Sequence, residues 1–136
     1  MAIQSHLSKL IPALAERYGE RRALMYKASG STEWTSVSWN EFAAKVGAVS
    51  ESLASLLEPG ETVALFAPNM PECLYVSFGA YGAGAVVIPF FPSSSPHEVE
   101  FMLNDASVKV LFIGDKRQYD TAYPLFVNKK KKKKIV

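Results

Sequence analysis

The sequence is poor in the residues that build cross-links and transition-metal sites, with one cysteine, Cys73, and two histidines among 136 residues. A single cysteine excludes an internal disulfide and favours a reducing compartment. So few soft ligands leave little from which to build a metal centre. The first ten residues also lack the apolar run of a signal peptide. We therefore expect a cytoplasmic protein, peripheral to a membrane at most.

Charge is missing from one long stretch, since no Asp, Glu, Lys or Arg occurs from Cys73 to His97. This stretch is long enough to span a bilayer. It also contains three glycines, three prolines and a serine triplet, and its pattern changes from helical to β-branched. A buried helix followed by a buried strand is therefore favoured over a transmembrane helix.

Positive charge is concentrated in one place. Six of the fifteen Lys and Arg residues are consecutive, Lys129 to Lys134, and the rest of the chain has nine basic against thirteen acidic residues. A folded nucleic-acid binder spreads basic residues over a surface, so we expect no specific nucleic-acid partner. The lysine run keeps two interpretations: a polycation that contacts nucleic acid or anionic lipid, or a solvated segment or expression artefact without function.

The first forty residues predict a helix and a hairpin. Apolar residues at helical spacing predict a helix that begins near Leu10 and stops at Gly19; they are Leu7, Leu10, Ile11, Leu14 and Tyr18. Two β-forming runs, residues 23–27 and 34–38, flank a Ser-Gly-Ser turn and predict a hairpin.

A second helix is predicted directly after the hairpin. Ser38 and Glu41 have the spacing of a capping box, and Pro59 with Gly60 is expected to end the helix. An apolar stripe at helical spacing lies between these signals; it consists of Phe42, Val46, Val49, Leu53, Leu56 and Leu57.

Three nearly continuous apolar runs dominate the centre of the chain: residues 63–67, 85–88 and 108–113. Strands buried on both faces of a parallel sheet have this composition, and a spacing of about 22 residues holds one crossover helix. We expect these helices over residues 70–84, apolar all round and therefore fully buried, and 96–105. The predicted fold class is α/β, a three-layer, open, mostly parallel sheet with helices on both faces, preceded by the N-terminal helix and the hairpin.

Weaker signals extend this pattern. Ser95 and Glu98 form a second capping box, with Pro96 at the first helical position. One more helix is expected to begin over residues 116–123, and residues 135–136 are expected to begin one more strand.

Four patterns resemble functional sites and are better explained by structure. Residues 79–84 are rich in glycine but end a helix, whereas a dinucleotide fingerprint opens one, so close backbone packing is expected. Residues 29–32 fit a hairpin turn better than a phosphate loop, because Glu33 follows them. Residues 97–101 begin like the zinc-binding helix motif H-E-x-x-H but contain only one of its two histidines, which cannot hold zinc. Cys73 is expected to be an inert core thiol. No catalytic, cofactor-binding or metal-binding residue is assigned.

Two segments resemble the core motifs of the adenylate-forming (AMP-binding) enzyme superfamily. Residues 37–42 are similar to the first motif, a hydroxyl and an aromatic residue before a helix. Residues 81–89 are similar to the second, a small-residue turn into a strand that ends in proline. The family's usual run also appears between the two motifs, at 60–65 and 69–72. Later segments favour the long-chain fatty acyl-CoA synthetase branch: residues 91–96, 103–106 and 109–112.

This resemblance covers roughly residues 7–122 and implies the first part of a large N-terminal domain. The parent enzyme is implied to use ATP and magnesium to turn a fatty acid into an acyl-adenylate, and then CoA to form a thioester. The family's phosphate loop, aromatic-Gly-x-Thr-Glu motif, ribose-binding aspartate, hinge and C-terminal lysine are missing from this sequence, and the two motifs that are present are structural in the family. We therefore expect an N-terminal fragment of a long-chain fatty acid–CoA ligase that is inactive alone.

Within this expectation, residues 1–123 form a subdomain fragment and 124–136 a lysine-rich tail. The implied partners are the rest of the parent polypeptide and the parent's fatty acid. The alternative is a free-standing, non-catalytic α/β module that binds a partner or a small ligand. Such a module needs the sheet edge after Val108 covered, because an open edge invites self-association.

Overall fold

The computed structural model describes residues 6–127 and 134–136. The chain opens with a 3₁₀ turn (Leu7–Lys9), helix α1 (Leu10–Tyr18) and the antiparallel strands β1 (Arg22–Tyr26) and β2 (Thr35–Ser38). Helix α1 ends where Gly19 takes a φ of 53°, a left-handed conformation that favours glycine. The predicted helix start, its glycine stop and the hairpin are confirmed.

Helix α2 (Trp39–Ala54) follows β2 directly. It ends before Pro59, earlier than predicted. The Ser55 hydroxyl donates to the Ser52 carbonyl at 2.7 Å, and the Leu56 N–H donates to the Leu53 carbonyl instead of the Ser52 carbonyl. Serine hydroxyls compete in this way with the helical hydrogen bonds, so the chain leaves the helix before the proline is reached.

The second half of the chain alternates strands and helices: β3 (Thr62–Phe66), α3 (Pro71–Gly82), β4 (Val86–Phe90), α4 (Pro96–Asp105), β5 (Val110–Ile113), α5 (Lys116–Val127) and β6 (Lys134–Ile135). The strands form one sheet in the order β4-β3-β5-β6, with every neighbouring pair parallel. The three predicted central strands, their crossover helices, the helix that begins at Lys116 and the strand at Ile135 are confirmed, and the fold class is α/β as predicted.

Helices cover the sheet on both faces. On one face α2 and α3 pack against the strands, and the buried cluster between them consists of Leu53, Leu57, Val63, Leu65, Val76, Ala80, Ala85 and Val110. On the other face α4 and α5 pack against the strands, and the buried cluster between them consists of Ala64, Phe66, Phe90, Val99, Leu103, Val108, Leu111, Ala122 and Phe126. A third cluster joins α1 and the hairpin to α2 and α3 through Ile11, Val37, Phe42, Val46 and Tyr75.

Two predictions of complete burial are wrong. Strand β4 lies at the edge of the described sheet, and its Val86 is 49% exposed. Helix α3 is buried along one side only, and its Leu74 is 44% exposed. The open edge therefore lies at β4, because β6 covers the far side of β5 beyond Val108. No helix in the described residues is long and apolar enough to cross a membrane.

Candidate functional site at the carboxyl edge of the sheet

Open α/β sheets bind ligands beyond the carboxyl ends of their strands, where the direction of the crossovers reverses. Here the chain passes from β3 to β4 on one side of β3 and then to β5 on the other side, so the reversal lies between β3 and β5. Residues 67–70, 91–95 and 114–115 leave the strands at this edge. We take this edge as the candidate site.

The reversal point itself is closed by backbone packing. The Gly114 N–H donates to the Phe66 carbonyl at 3.0 Å. A Cβ at position 114 would collide with the Cβ of Ala67 and lie 2.7 Å from Cδ of Pro68. Only glycine fits here, because the two strand ends are in close backbone contact.

The first turn of α5 lies beside this contact and is capped from within the chain. An Asp115 carboxylate oxygen accepts the Gln118 N–H at 3.2 Å, and the Asp115 carbonyl accepts the Tyr119 N–H at 3.0 Å. Lys116 pairs with Asp120 at 2.7 Å. A carboxylate therefore occupies the place where a helix N-terminus would hold a phosphate.

Helices α2 and α4 are also capped from within the chain, and here both predicted capping boxes are confirmed. The Ser38 hydroxyl accepts the Glu41 N–H at 3.2 Å, and the Ser38 N–H donates to the Glu41 carboxylate at 2.8 Å. The Ser95 N–H donates to the Glu98 carboxylate at 2.7 Å, and hydrogen bonds from the Ser95 backbone and hydroxyl lower the pKa of Glu98. In residues 6–127 and 134–136 no three His, Cys, Asp or Glu side chains converge as metal ligands.

Gln118 is a buried polar residue at this edge and is not among the residues singled out by the sequence. It is 3% exposed, and its amide Nε2 donates to the Pro92 carbonyl at 3.0 Å, which ties α5 to the loop after β4. Its Oε1 has no partner in the described part of the chain. The signal was a helical spacing of four residues from Gln118 to Ala122 and on to Phe126, which puts Gln118 on the buried stripe.

An apolar groove opens on the α2–α3 face of the same edge. It has a volume of about 290 Å³ and is lined by Leu65, Cys73, Tyr75, Val76 and Phe112, among others. Cys73 is half-buried in its wall, with Sγ 3.4 Å from the Pro68 carbonyl, rather than the core thiol predicted. Burial raises the pKa of the Tyr75 hydroxyl, and the Glu72 carboxylate adds to this effect.

The other patterns have the predicted structural roles. A Cβ at Gly79 would lie 2.6 Å from Cγ1 of Val49, so the glycines of α3 allow close packing against α2. The Ser31 N–H donates to the Ala28 carbonyl at 2.9 Å in a hairpin turn. His97 lies in the first turn of α4. Five of the six residues from Lys129 to Lys134 lie outside the described residues, and β6 begins at the sixth.

The two segments that resemble family motifs contribute to α2 and to α3, which pack against each other. Residues 37–42 end β2 and cap α2, and their Trp39 and Phe42 rings lie 6.0 Å apart. The Phe42 ring in turn contacts Tyr75 of α3 edge-on, at 5.3 Å. Residues 81–89 end α3 and form most of β4. Each segment therefore joins a strand to one of these two helices.

The protein-family model described as "AMP-binding enzyme" matches residues 12–136. The chain belongs to this family. Its curated relatives include the long-chain-fatty-acid–CoA ligase heimdall of Drosophila melanogaster, 32% identical over 106 residues. This match covers 76% of the chain and 16% of the Drosophila protein. The long-chain-fatty-acid–CoA ligase FadD15 of Mycobacterium tuberculosis is 32% identical over 80 residues, which are 58% of the chain and 13% of FadD15.

Solved structures of CoA ligases have the same fold. A long-chain-fatty-acid–CoA ligase (FadD1) from Archaeoglobus fulgidus superposes with a TM-score of 0.84 at 20% identity, over 100% of this chain and 28% of that one. A benzoate CoA ligase from Burkholderia xenovorans gives a TM-score of 0.82 at 14% identity, over 97% of this chain and 25% of that one. The chain thus spans a sixth or less of the curated relatives above and about a quarter of these structures.

Proposed function

We propose that this chain is the N-terminal part of a long-chain fatty acid–CoA ligase and serves it as scaffold. The observation that carries the proposal is the match of residues 12–136 to the AMP-binding family, together with relatives that are fatty acid–CoA ligases several times as long. The lone, half-buried Cys73 accords with a reducing, cytoplasmic location for the parent.

The parent reaction joins a carboxylate to the α-phosphorus of ATP with release of pyrophosphate, and then transfers the acyl group to the CoA thiol with release of AMP. The negative charges of the carboxylate and of the ATP phosphates must be neutralised by cations and aligned hydrogen-bond donors before the carboxylate can attack. Three helix N-termini of this chain, those of α2, α4 and α5, are instead capped by its own carboxylates, at Glu41, Glu98 and Asp115, whereas the N-terminus of α3 has no side-chain cap. We therefore assign ATP, magnesium and CoA binding to the remainder of the parent, and no adenylation activity to this chain alone.

Two measurements test the proposal. Pyrophosphate exchange into ATP, measured on this chain with magnesium and a long-chain fatty acid, is expected to stay at the level of a protein-free blank, and exchange above that level would overturn the assigned inactivity. Sequencing the transcript beyond the codon of Val136 is expected to reveal a Ser/Thr/Gly-rich phosphate loop that ends in lysine. A stop codon or an unrelated sequence there would overturn the assigned parent.

The second candidate is a free-standing, non-catalytic α/β module. The observation in its favour is that β6 covers the outer side of β5, while helices cover both faces of the central strands. A monomer with one cooperative melt in light scattering and calorimetry would favour the module. Aggregation or domain swapping would favour the fragment.

A further inference from the structure

The outer edge of β4 carries few hydrogen-bonding groups because a proline lies on it. The Val86 N–H donates to the Glu61 carbonyl at 2.9 Å, and β4 runs parallel to β3 without a break in register. Alternate residues of a parallel strand turn their backbone groups to the same neighbour. Val86 and every second residue after it therefore face β3, whereas the backbone groups of Val87 and Pro89 face outward.

The surroundings of this edge favour association. Four exposed apolar side chains flank it, and the chain carries no charge from Cys73 to His97; the four are Leu74 (44% exposed), Val86 (49%), Phe91 (80%) and Phe101 (63%). Natural edge strands avoid pairing through charge, bulges or proline. Charge and bulges are both missing from β4, which leaves the proline.

We propose that Pro89 prevents β4 from pairing with β4 of a second copy of this chain. Antiparallel pairing about a twofold axis with Val87 opposite its copy would form one reciprocal pair of hydrogen bonds. The next pair would join residue 85 to residue 89. Pro89 has no N–H, and the Ala85 N–H already donates to the Ala80 carbonyl at 2.9 Å. The ladder therefore stops after Val87, and a non-proline residue at position 89 would extend it.

The test is Pro89→Val in the full chain, followed by size exclusion with light scattering over a range of concentrations. The mass is expected to rise with concentration to about twice the wild-type value, as a twofold pair requires. The matched control is Pro92→Val, in the loop after the strand, which should keep the wild-type mass. Adding Val86→Lys to Pro89→Val places a charge on the exposed edge and should restore the wild-type mass. A wild-type mass for Pro89→Val at every concentration, or equal association of Pro92→Val, overturns the proposal.

Amide hydrogen exchange on the wild-type chain tests the same geometry without a variant that has to fold. The Val87 amide, which faces outward, is expected to exchange much faster than those of Ile88 and Phe90, which face β3. Equal protection of the three amides would show that the edge is already paired and would overturn the proposal. Neither measurement depends on the enzyme class of the parent.

Discussion

Gly79→Ala tests how closely α2 and α3 approach each other. Gly79 lies in α3, against α2. A Cβ at this position would lie 2.6 Å from Cγ1 and 2.7 Å from Cβ of Val49, and 3.1 Å from the Ser50 backbone nitrogen. Rotation of the Val49 side chain moves Cγ1 away but leaves its Cβ in place. The two helices must therefore separate to accept one methyl group.

Two opposing terms set the magnitude. Replacing glycine by alanine inside a helix gains about 1 kcal/mol from backbone entropy. Forcing an extra carbon into a packed interface costs about 1–3 kcal/mol, and the upper end applies because one of the colliding atoms is a Cβ. The net expectation is a loss of about 2 kcal/mol. Gly47→Ala in α2 is the matched control, since no heavy atom lies within 4 Å of its added Cβ, and it should gain up to about 1 kcal/mol.

Urea and thermal unfolding followed by circular dichroism measure both variants. At about 4 °C per kcal/mol for a chain of this size, Gly79→Ala should lower Tm by about 8 °C and Gly47→Ala should raise it by up to about 4 °C. Adding Val49→Ala to Gly79→Ala should recover part of the loss, because it removes one of the two colliding carbons. The reasoning is refuted if Gly79→Ala is as stable as the wild type, or if the two glycine variants shift Tm in the same direction.

Two further predictions concern ionisation. Hydrogen bonds from Ser95 lower the pKa of Glu98, and the Glu58 backbone and Lys109 lower that of Glu61, from ordinary values of 4.5. Each carboxylate therefore stabilises the fold fully above its ordinary pKa, and this contribution is lost as pH falls through the lowered folded-state pKa. Glu98→Gln should therefore flatten the decline of Tm with falling pH, in melts from neutral pH to about pH 3. An unchanged slope of Tm against pH would contradict this. Gln118→Glu buries a carboxylate against the Pro92 carbonyl and should cost roughly 3 kcal/mol at neutral pH, less in acid. Gln118→Met, which loses one hydrogen bond, should cost about 1 kcal/mol, and equal urea midpoints for the two variants at neutral pH would count against the buried contact.

The elements predicted correctly depend on local chemistry. A capping box is complete within one helical turn, so Ser38 with Glu41 and Ser95 with Glu98 are readable from a spacing of three residues. The central strands β3 and β5 could be predicted from the sequence because each is apolar throughout. A strand has this composition when it lies between two other strands and helices cover both of its faces. Gly19 ends α1 through its own backbone conformation, without any distant partner.

The features that were missed depend on which surfaces meet in three dimensions. The apolar composition of α3 predicted burial on all sides, yet Leu74 faces outward because α3 is packed along one side only. Strand β4 has the composition of a central strand but lies at the edge, and Val86 is exposed for that reason. Gln118 lies on the buried stripe of α5, but its partner, the Pro92 carbonyl, is 26 residues away in sequence and no local pattern relates the two.

Three helix N-termini of this chain are occupied by its own carboxylates. A helix N-terminus has a small set of free N–H groups and a positive end, and these can stabilise one anion. In α2, α4 and α5 that anion is a carboxylate from the same chain, Glu41, Glu98 or Asp115. A phosphate at any of these ends would have to displace the carboxylate and lose the helix cap, at a cost of about 1 kcal/mol. The capping boxes that made α2 and α4 predictable from the sequence are therefore the same groups that occupy these two helix ends.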